Sequence, residues 1–168
     1  MNLSASSISL KNKKIQMQRN IDTAQMHVTK RNGTKEPVDI IKITRKVARC
    51  GAGLDSINPY LVASKAISGI YDGVNTTELD NLLIQTASML IADEPEYSKL
   101  SARLLTNFID KEVHLQKINT FSTSIKYSAS VGLISEEVSK FVNKNQHILN
   151  QSILEERCDL FEYFGLRT

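Results

Sequence analysis

The sequence is poor in several residue types that define common protein classes. Its 168 residues include no tryptophan, two cysteines and three histidines. Cys50 and Cys158 stand alone, so the CxxC spacing of zinc ribbons and thioredoxin-like motifs is absent. His27, His114 and His147 are too far apart to form a metal-ligand pair on one element. We therefore predict no metal site. Because Cys50 falls on the apolar face of a predicted helix, we interpret it as a small buried side chain.

Motifs for catalysis and for loop-based phosphate binding are also missing. The chain has no GxxxxGK[ST] loop, no GxGxxG and no GxSxG nucleophile elbow. No run approaches the roughly 18 apolar residues that a membrane helix requires, and the start lacks the apolar stretch of a secretory signal. The sequence thus favours a soluble, cytoplasmic binding module without catalytic residues and without a membrane partner.

Charge is distributed unevenly along the chain. Residues 1–21 contain four basic residues and no acidic one, which leaves 17 basic against 18 acidic residues in the remainder. A nearly neutral remainder argues against a nucleic-acid partner. The segment from Lys30 to Arg49, however, contains seven basic and two acidic residues, a local charge of +5. Such a segment suits a small polyanion, although a solvated helix face is the simpler interpretation from charge alone.

Residues 1–25 are rich in serine, asparagine, lysine and glutamine and show no apolar period. This composition predicts a flexible basic leader. It is also faintly similar to an organelle transit peptide, because the segment contains no acidic residue before Asp22.

Ordered structure is expected from His27 onward. The Asn32-Gly33 pair, in which both residues tolerate positive φ, predicts a β-hairpin, and Pro37 limits the returning strand to an edge position. Asp39 is a candidate N-cap for a helix that runs to about Cys50.

Three further helices complete a predicted compact unit over residues 26–117. The second helix begins at Asn58-Pro59 and is expected to end near Gly73, with Tyr71 facing inward. The third begins at Thr76 or Thr77, where Thr77 and Asp80 have the spacing of a capping box. The fourth begins at Pro95 and carries Lys111 near its last third. The predicted fold is mainly α with a small β-hairpin, in which the hairpin packs on a four-helix bundle.

Residues 118–168 show weaker patterns. Short helices are expected over 121–130, 135–143 and 145–157, and residues 157–168 are interpreted as irregular or as the start of a new element. Because the apolar stripes are weak, we expect this helical connector to be less ordered than residues 26–117, which should fold and bind alone.

Basic side chains converge near the predicted hairpin. Lys30 and Arg31 precede the turn, and Lys42 lies in the first turn of the following helix, whose N-terminal amides suit a phosphate group. A triphosphate carries about four negative charges, which several lysines can meet as point charges.

At this point the sequence resembles the ATP-cone family. The run His27–Gly33, followed by Glu36, Val38 and Lys42-Ile43, is similar to the opening of the cone. The middle and end of the cone pattern are matched by 70–74, 76–80 and 97–104. Residues 157–168 resemble the strip that introduces the barrel domain of class I ribonucleotide reductase large subunits. The four motifs occur in the family's order.

The resemblance implies an allosteric site for adenine nucleotides. By position, Lys30, Arg31, Lys42 and Lys111 match residues that meet the phosphates. The positions expected around the base and sugar are Glu36 and Val38 at the base, Ile43 as an apolar wall, and Thr76 and Asp80 near the sugar and base. Helix capping is an alternative role for Thr76 and Asp80. Pro37 departs from the basic residue often found at that position, and the leader is longer than the family usually shows.

The same resemblance implies a function and partners. In the family, ATP keeps the reductase active and dATP inhibits it by changing subunit assembly, and magnesium is expected with the nucleotide. The implied partners are the rest of the large subunit, the radical-generating small subunit and further copies of the chain in an effector-dependent homo-oligomer. Neither Cys50 nor Cys158 matches a catalytic cysteine, so the fragment alone should not reduce a ribonucleotide.

Two alternatives come from other functional classes. ATP-cones also occur in a repressor of reductase genes, but that protein resembles a zinc ribbon fused ahead of the cone, and no cysteine precedes Cys50 here. The second alternative is a helical interaction module without a ligand, in which the basic segment is only solvated surface.

Overall fold

The computed structural model describes residues 26–168, so the predicted leader lies outside the described residues. The described chain is mainly helical with one two-stranded sheet, which confirms the predicted fold class. Contacts group the chain into two units, one through Thr86 and one from Ala87 onward, and the boundary falls inside a helix. The predicted domain boundaries, 26–117 and 118–168, remain predictions, and each unit is described separately. No helix in residues 26–168 is long and apolar enough to cross a membrane.

The predicted hairpin is confirmed. Strands β1 (His27–Thr29) and β2 (Lys35–Pro37) pair antiparallel, with Val28 opposite Glu36. In the turn, the Gly33 amide donates to the Lys30 carbonyl over 2.8 Å, and the Lys30 amide donates to the Thr34 carbonyl over 2.8 Å. Gly33 has φ +82°, a left-handed conformation that residues with a Cβ atom rarely adopt. The loop is therefore a tight turn followed by a left-handed glycine.

The other edge of β1 is also paired. The Gly73 amide donates to the His27 carbonyl over 2.8 Å, and the Thr29 amide donates to the Val74 carbonyl over 2.9 Å. Asp72 Oδ1 accepts a hydrogen bond from the His27 amide over 2.7 Å. This hydrogen bond is the main cause that lowers the pKa of the Asp72 carboxyl group. The segment 72–75 thus fixes β1 from the side opposite β2.

Helix α1 (Ile40–Cys50) begins and ends where its caps predict. Asp39 accepts from the Lys42 amide over 2.9 Å, and Gly51 follows the last turn. The buried face of α1 contains Ile43, Val47 and Cys50.

Helix α2 (Pro59–Ser68) packs against α1 and is capped by Asn58, which accepts from two backbone amides. The contact near the start of α2 is tight, because a Cβ on Gly51 would lie 2.6 Å from Pro59 Cγ.

The expectation that α2 continues to Gly73 is wrong. The helix ends at Ser68, and Tyr71 is 58% exposed instead of facing inward. The cause is the turn over residues 71–74, with Gly73 at φ +84°, which brings residues 72–75 to β1 where the periodicity suggested helix. The Tyr71 hydroxyl donates to Glu78 Oε2 over 2.6 Å, and this hydrogen bond raises the pKa of Tyr71.

Helix α3 (Thr76–Met89) begins at the predicted position with a different cap. Asn75 accepts from the Glu78 amide through Oδ1 at 2.7 Å, so the Thr77–Asp80 capping box is wrong. Asp80 is instead buried against cationic side chains. The inner face of α3 in the first unit contains Leu79, Leu83 and Ile84.

In the second unit, helix α4 (Tyr97–Leu115) buries Tyr97, Leu100 and Leu104 along one face. It ends in a Schellman arrangement, in which the Ile118 amide donates to the Val113 carbonyl over 3.2 Å. Lys117 takes the left-handed position of this motif, with φ 59°.

The remainder of the second unit consists of short helices. These are α5 (Phe121–Ser130), α6 (Glu136–Lys144), α7 (Gln146–Gln151), a 3-10 helix (Glu155–Leu160) and α8 (Tyr163–Arg167). The predicted helix over 145–157 is therefore interrupted after Gln151, and residues 157–168 contain regular structure.

The last two of these elements pack against α4. Tyr163 is buried, and its amide donates to Ser98 Oγ over 3.1 Å. Arg103 Nε donates to Asp159 Oδ1 over 2.9 Å.

Protonation of Asp72 should weaken the attachment of β1. A carboxyl group with a lowered folded-state pKa contributes stability above its unfolded value, about 3.9, and loses that contribution as pH falls through the folded value. We therefore expect Asp72→Asn, which keeps an acceptor oxygen but does not titrate, to flatten the decline in melting temperature below about pH 4. Thermal melts of both proteins across this pH range test the effect, and parallel curves would contradict it.

The cap of α3 provides a second test. Asn75→Ala removes the acceptor for the Glu78 amide and should lower the free energy of unfolding by about 1 kcal/mol. Thr77→Ala is the matched control, because it removes the other cap candidate and introduces a better helix former. Urea unfolding of the two variants should show a loss for Asn75→Ala only. A larger loss for Thr77→Ala would restore the capping box.

Candidate functional site

Two predicted site residues face each other across the hairpin. Lys30 follows β1, Glu36 lies in β2, and the Lys30 ammonium contacts Glu36 Oε1. Their side chains are 37% and 46% exposed, so solvent screens the pair and its contribution to stability is small. The pair orients a lysine at the mouth of the turn.

A more deeply buried group lies beside the hairpin. The Asp80 carboxylate, in α3, has a side-chain exposure of 6%. Arg31 Nη2 is 3.4 Å from Asp80 Oδ2, and the Lys46 ammonium contacts Asp80 Oδ1. The three residues come from the turn, α1 and α3, and we call them the Asp80 cluster. A buried carboxylate requires such partners, because burial removes its hydration.

Lys46 is the residue that the sequence reasoning missed. In the sequence it is one of the seven basic residues of the basic segment, and in the structure it lies between Ile43 and Val47, next to the buried face of α1. Its side chain is 15% exposed. A lysine that flanks an apolar stripe is the available signal, because long side chains bury their stems along such a surface.

The start of α1 is partly occupied by the protein itself. The Lys42 amide, one of those expected to face a phosphate, donates to Asp39 Oδ1 over 2.9 Å. The Lys42 side chain is exposed. This amide is therefore already bonded within the protein, whereas the Lys42 ammonium is accessible to an anion.

Three other predicted residues surround these charges in the first unit. Val38 is half-buried, and its amide donates to the Met26 carbonyl over 2.9 Å. Ile43 is buried and belongs to the core face of α1. Thr76 is half-buried at the first position of α3. Their roles at a ligand remain predictions.

Lys111 lies in α4, in the second unit, and its side chain is half-buried. The expectation that Lys111 binds the same phosphates as Lys30 and Arg31 stays a prediction.

The charges within the two ion-paired groups nearly balance. Lys30, Arg31 and Lys46 face Glu36 and Asp80, which leaves one net positive charge. Within residues 26–168, no group of three or more histidine, cysteine, aspartate or glutamate side chains could hold a metal ion. The arrangement is suited to binding an anion through cations that carboxylates hold in place.

Comparison with known proteins gives the family. Residues 26–112 match the ATP cone domain. The chain is 36% identical over 154 residues to the ribonucleoside-diphosphate reductase large chain 2 of Saccharomyces cerevisiae, covering 85% of this chain and 17% of that protein. It is 35% identical over 149 residues to the large subunit of Caenorhabditis elegans, covering 84% and 19%.

A viral relative gives the same result. Identity to the large subunit of vaccinia virus is 35% over 150 residues, covering 85% of this chain and 20% of that protein. The chain thus spans about one fifth of the length of these relatives and matches their N-terminal regions. The ATP cone match covers more than half of the chain, and the chain therefore belongs to the ATP cone family.

Proposed function

We propose that this chain is the regulatory nucleotide-binding region of a ribonucleoside-diphosphate reductase, in which ATP activates and dATP inhibits the synthesis of deoxyribonucleotides. The proposed partners are the remainder of the large subunit, a radical-generating small subunit and further copies of the chain, with which it forms an effector-dependent oligomer. The observation that carries the proposal is the Asp80 cluster beside a lysine-bearing hairpin in a chain of the ATP cone family.

The extent of the similarity favours the reductase over the repressor. The family match ends at residue 112, whereas the similarity to reductase large chains extends over 154 residues. A relationship limited to the cone would not include the short helices that follow α4. The additional similarity supports a cone attached to a reductase.

The charges of the first unit support an anionic ligand. Lys30 and Lys42 have exposed or half-exposed side chains near the turn and the start of α1. Arg31, with a side-chain exposure of 18%, is held by Asp80 at a distance longer than a good charge-assisted hydrogen bond. Phosphate oxygens could therefore compete for these cations. We propose Lys111 as a further phosphate contact.

Magnesium would accompany the phosphates. Because the described residues contain no carboxylate and histidine group that could hold a metal alone, the triphosphate would supply the principal oxygen ligands. The role of the protein is to position the phosphates through its cations.

Discrimination between ATP and dATP requires a group that recognises one ribose hydroxyl. A buried carboxylate is suited to this task, since it accepts a hydrogen bond from a hydroxyl that dATP lacks. We propose Asp80 for this role, with Thr76 near the sugar and with Glu36, Val38 and Ile43 around the base.

Removal of a phosphate contact should weaken ATP and dATP equally, because both carry the same triphosphate. Losing one hydrogen bond to a charged group costs about 1.5–3 kcal/mol, roughly a 10- to 150-fold loss of affinity. We expect Lys30→Ala and Lys111→Ala each to weaken both nucleotides within this range, and more strongly at low salt. Calorimetric titration with ATP and dATP, and with GTP as a base control, measures the effect.

Lys65→Ala is the matched control for these variants, because it removes an exposed lysine from α2. It should bind both nucleotides as the unchanged protein does. Normal binding by the Lys30 and Lys111 variants would show that the phosphate assignment is wrong. If the unchanged chain binds neither nucleotide, the proposed function itself is wrong.

Asp80→Asn should change the ratio of ATP to dATP affinity rather than scale both affinities together. The substitution keeps the size of the side chain but removes its charge, and it releases Arg31 from its carboxylate partner. The variant should also melt at a lower temperature, because buried cations lose a partner. The titrations are therefore made well below its melting temperature. If both affinities change by the same factor, Asp80 does not discriminate between the sugars.

A further inference from the structure

The two cations of the Asp80 cluster differ in how they hold the carboxylate. Lys46 contacts Oδ1, whereas Arg31 approaches Oδ2 at 3.4 Å. Charge-assisted hydrogen bonds between nitrogen and oxygen are usually about 2.7–2.9 Å long. Of these two contacts, that of Arg31 is the longer, and the two cations approach different carboxylate oxygens.

The two cations also differ in their attachment to the fold. Arg31 belongs to the hairpin turn, next to Lys30, whose side chain is 37% exposed. Lys46 projects from the middle of α1, between two core residues, and its side chain is 15% exposed. A ligand bound over the turn can draw Arg31 toward itself, whereas Lys46 is held by its helix.

We propose that Lys46 is a positioning residue that keeps Asp80 charge-compensated while Arg31 transfers to the nucleotide phosphates. This inference rests on the proposed function of the site. If Arg31 left without another cation at hand, a buried carboxylate would remain beside a polyanion, at a large cost in free energy. With Lys46 on Oδ1, Oδ2 accepts a hydrogen bond from the sugar in place of the contact with Arg31. Phosphate binding and sugar recognition are thereby linked through one carboxylate.

The test is a double-mutant cycle of Lys46→Met and Asp80→Asn in the full chain, read by calorimetry with ATP and dATP. Methionine keeps an unbranched side chain at position 46 without its charge. In the unchanged background, Lys46→Met leaves Asp80 dependent on Arg31, so Arg31 should stay with Asp80 and not reach the phosphates. The affinity for both nucleotides should fall by about 10- to 100-fold, the loss for one charged hydrogen bond. It should also move the ATP-to-dATP ratio in the direction of Asp80→Asn.

In the Asp80→Asn background, Lys46→Met should change either affinity by no more than about twofold, because residue 80 no longer carries a charge to be compensated. Equal losses in both backgrounds would mean that Lys46 acts on the phosphates directly, and would overturn the inference. The absence of any loss in the unchanged background would overturn it as well.

Two further measurements distinguish positioning from folding. Lys46→Arg should restore binding to near the unchanged level, and thermal melts without nucleotide should show that each variant is folded at the titration temperature. If Lys46→Met is unfolded, Lys46→Gln replaces it in the same cycle with the same expected results. Absence of binding by the unchanged chain would overturn both the proposed function and this inference, whereas binding with additive losses would overturn the inference alone.

Discussion

A buried carboxylate stays charged only when cations or hydrogen-bond donors replace its lost hydration, and the cations around Asp80 link the elements of the first unit. Asp80, which lies in α3, takes Arg31 from a turn and Lys46 from α1 as partners. Arg31, Lys46 and Asp80 are far apart in sequence, so the cluster forms only when these elements have assembled. Breaking a buried ion pair by removing one partner costs about 3–5 kcal/mol. The cluster therefore couples the position of the hairpin to the helices beneath it.

That coupling depends on the pairing of β1 on both edges. Residues 72–75 bond to β1 through backbone groups, and α3 begins directly afterward, at Thr76. Asp80 lies little more than one helical turn later, so the register of this pairing sets the distance between the carboxylate and the turn. The inward-facing Val28 fixes the register on the core side. Without the bonds from residues 72–75, β1 would pair only with β2, and the position of Arg31 would not be constrained in this way.

Local signals in the sequence predicted local structure well. Asp39 and Asn58 cap their helices as expected, and Asn32-Gly33 marks the hairpin. Predictions failed where a distant segment decided the outcome. Tyr71 is exposed because residues 72–75, which follow it, bond to β1. The cap of α3 is a different error, because the choice of Thr77 over Asn75 concerned residues within one helical turn. The pairings of Asp80 followed from no local pattern, because its partners lie 34 and 49 residues away in sequence.

The presence of two carboxylates in a site proposed for a polyanion has a physical explanation. Uncompensated cations around a turn would repel one another and attract any anion at hand. Glu36 and Asp80 lower that repulsion and hold Lys30 and Arg31 in defined orientations before a ligand arrives. A ligand must then compete with these carboxylates for the cations rather than merely approach a positive surface. Near-balance of charge thus favours a ligand that combines several phosphates with a group recognised elsewhere, which is the chemistry of a nucleoside triphosphate.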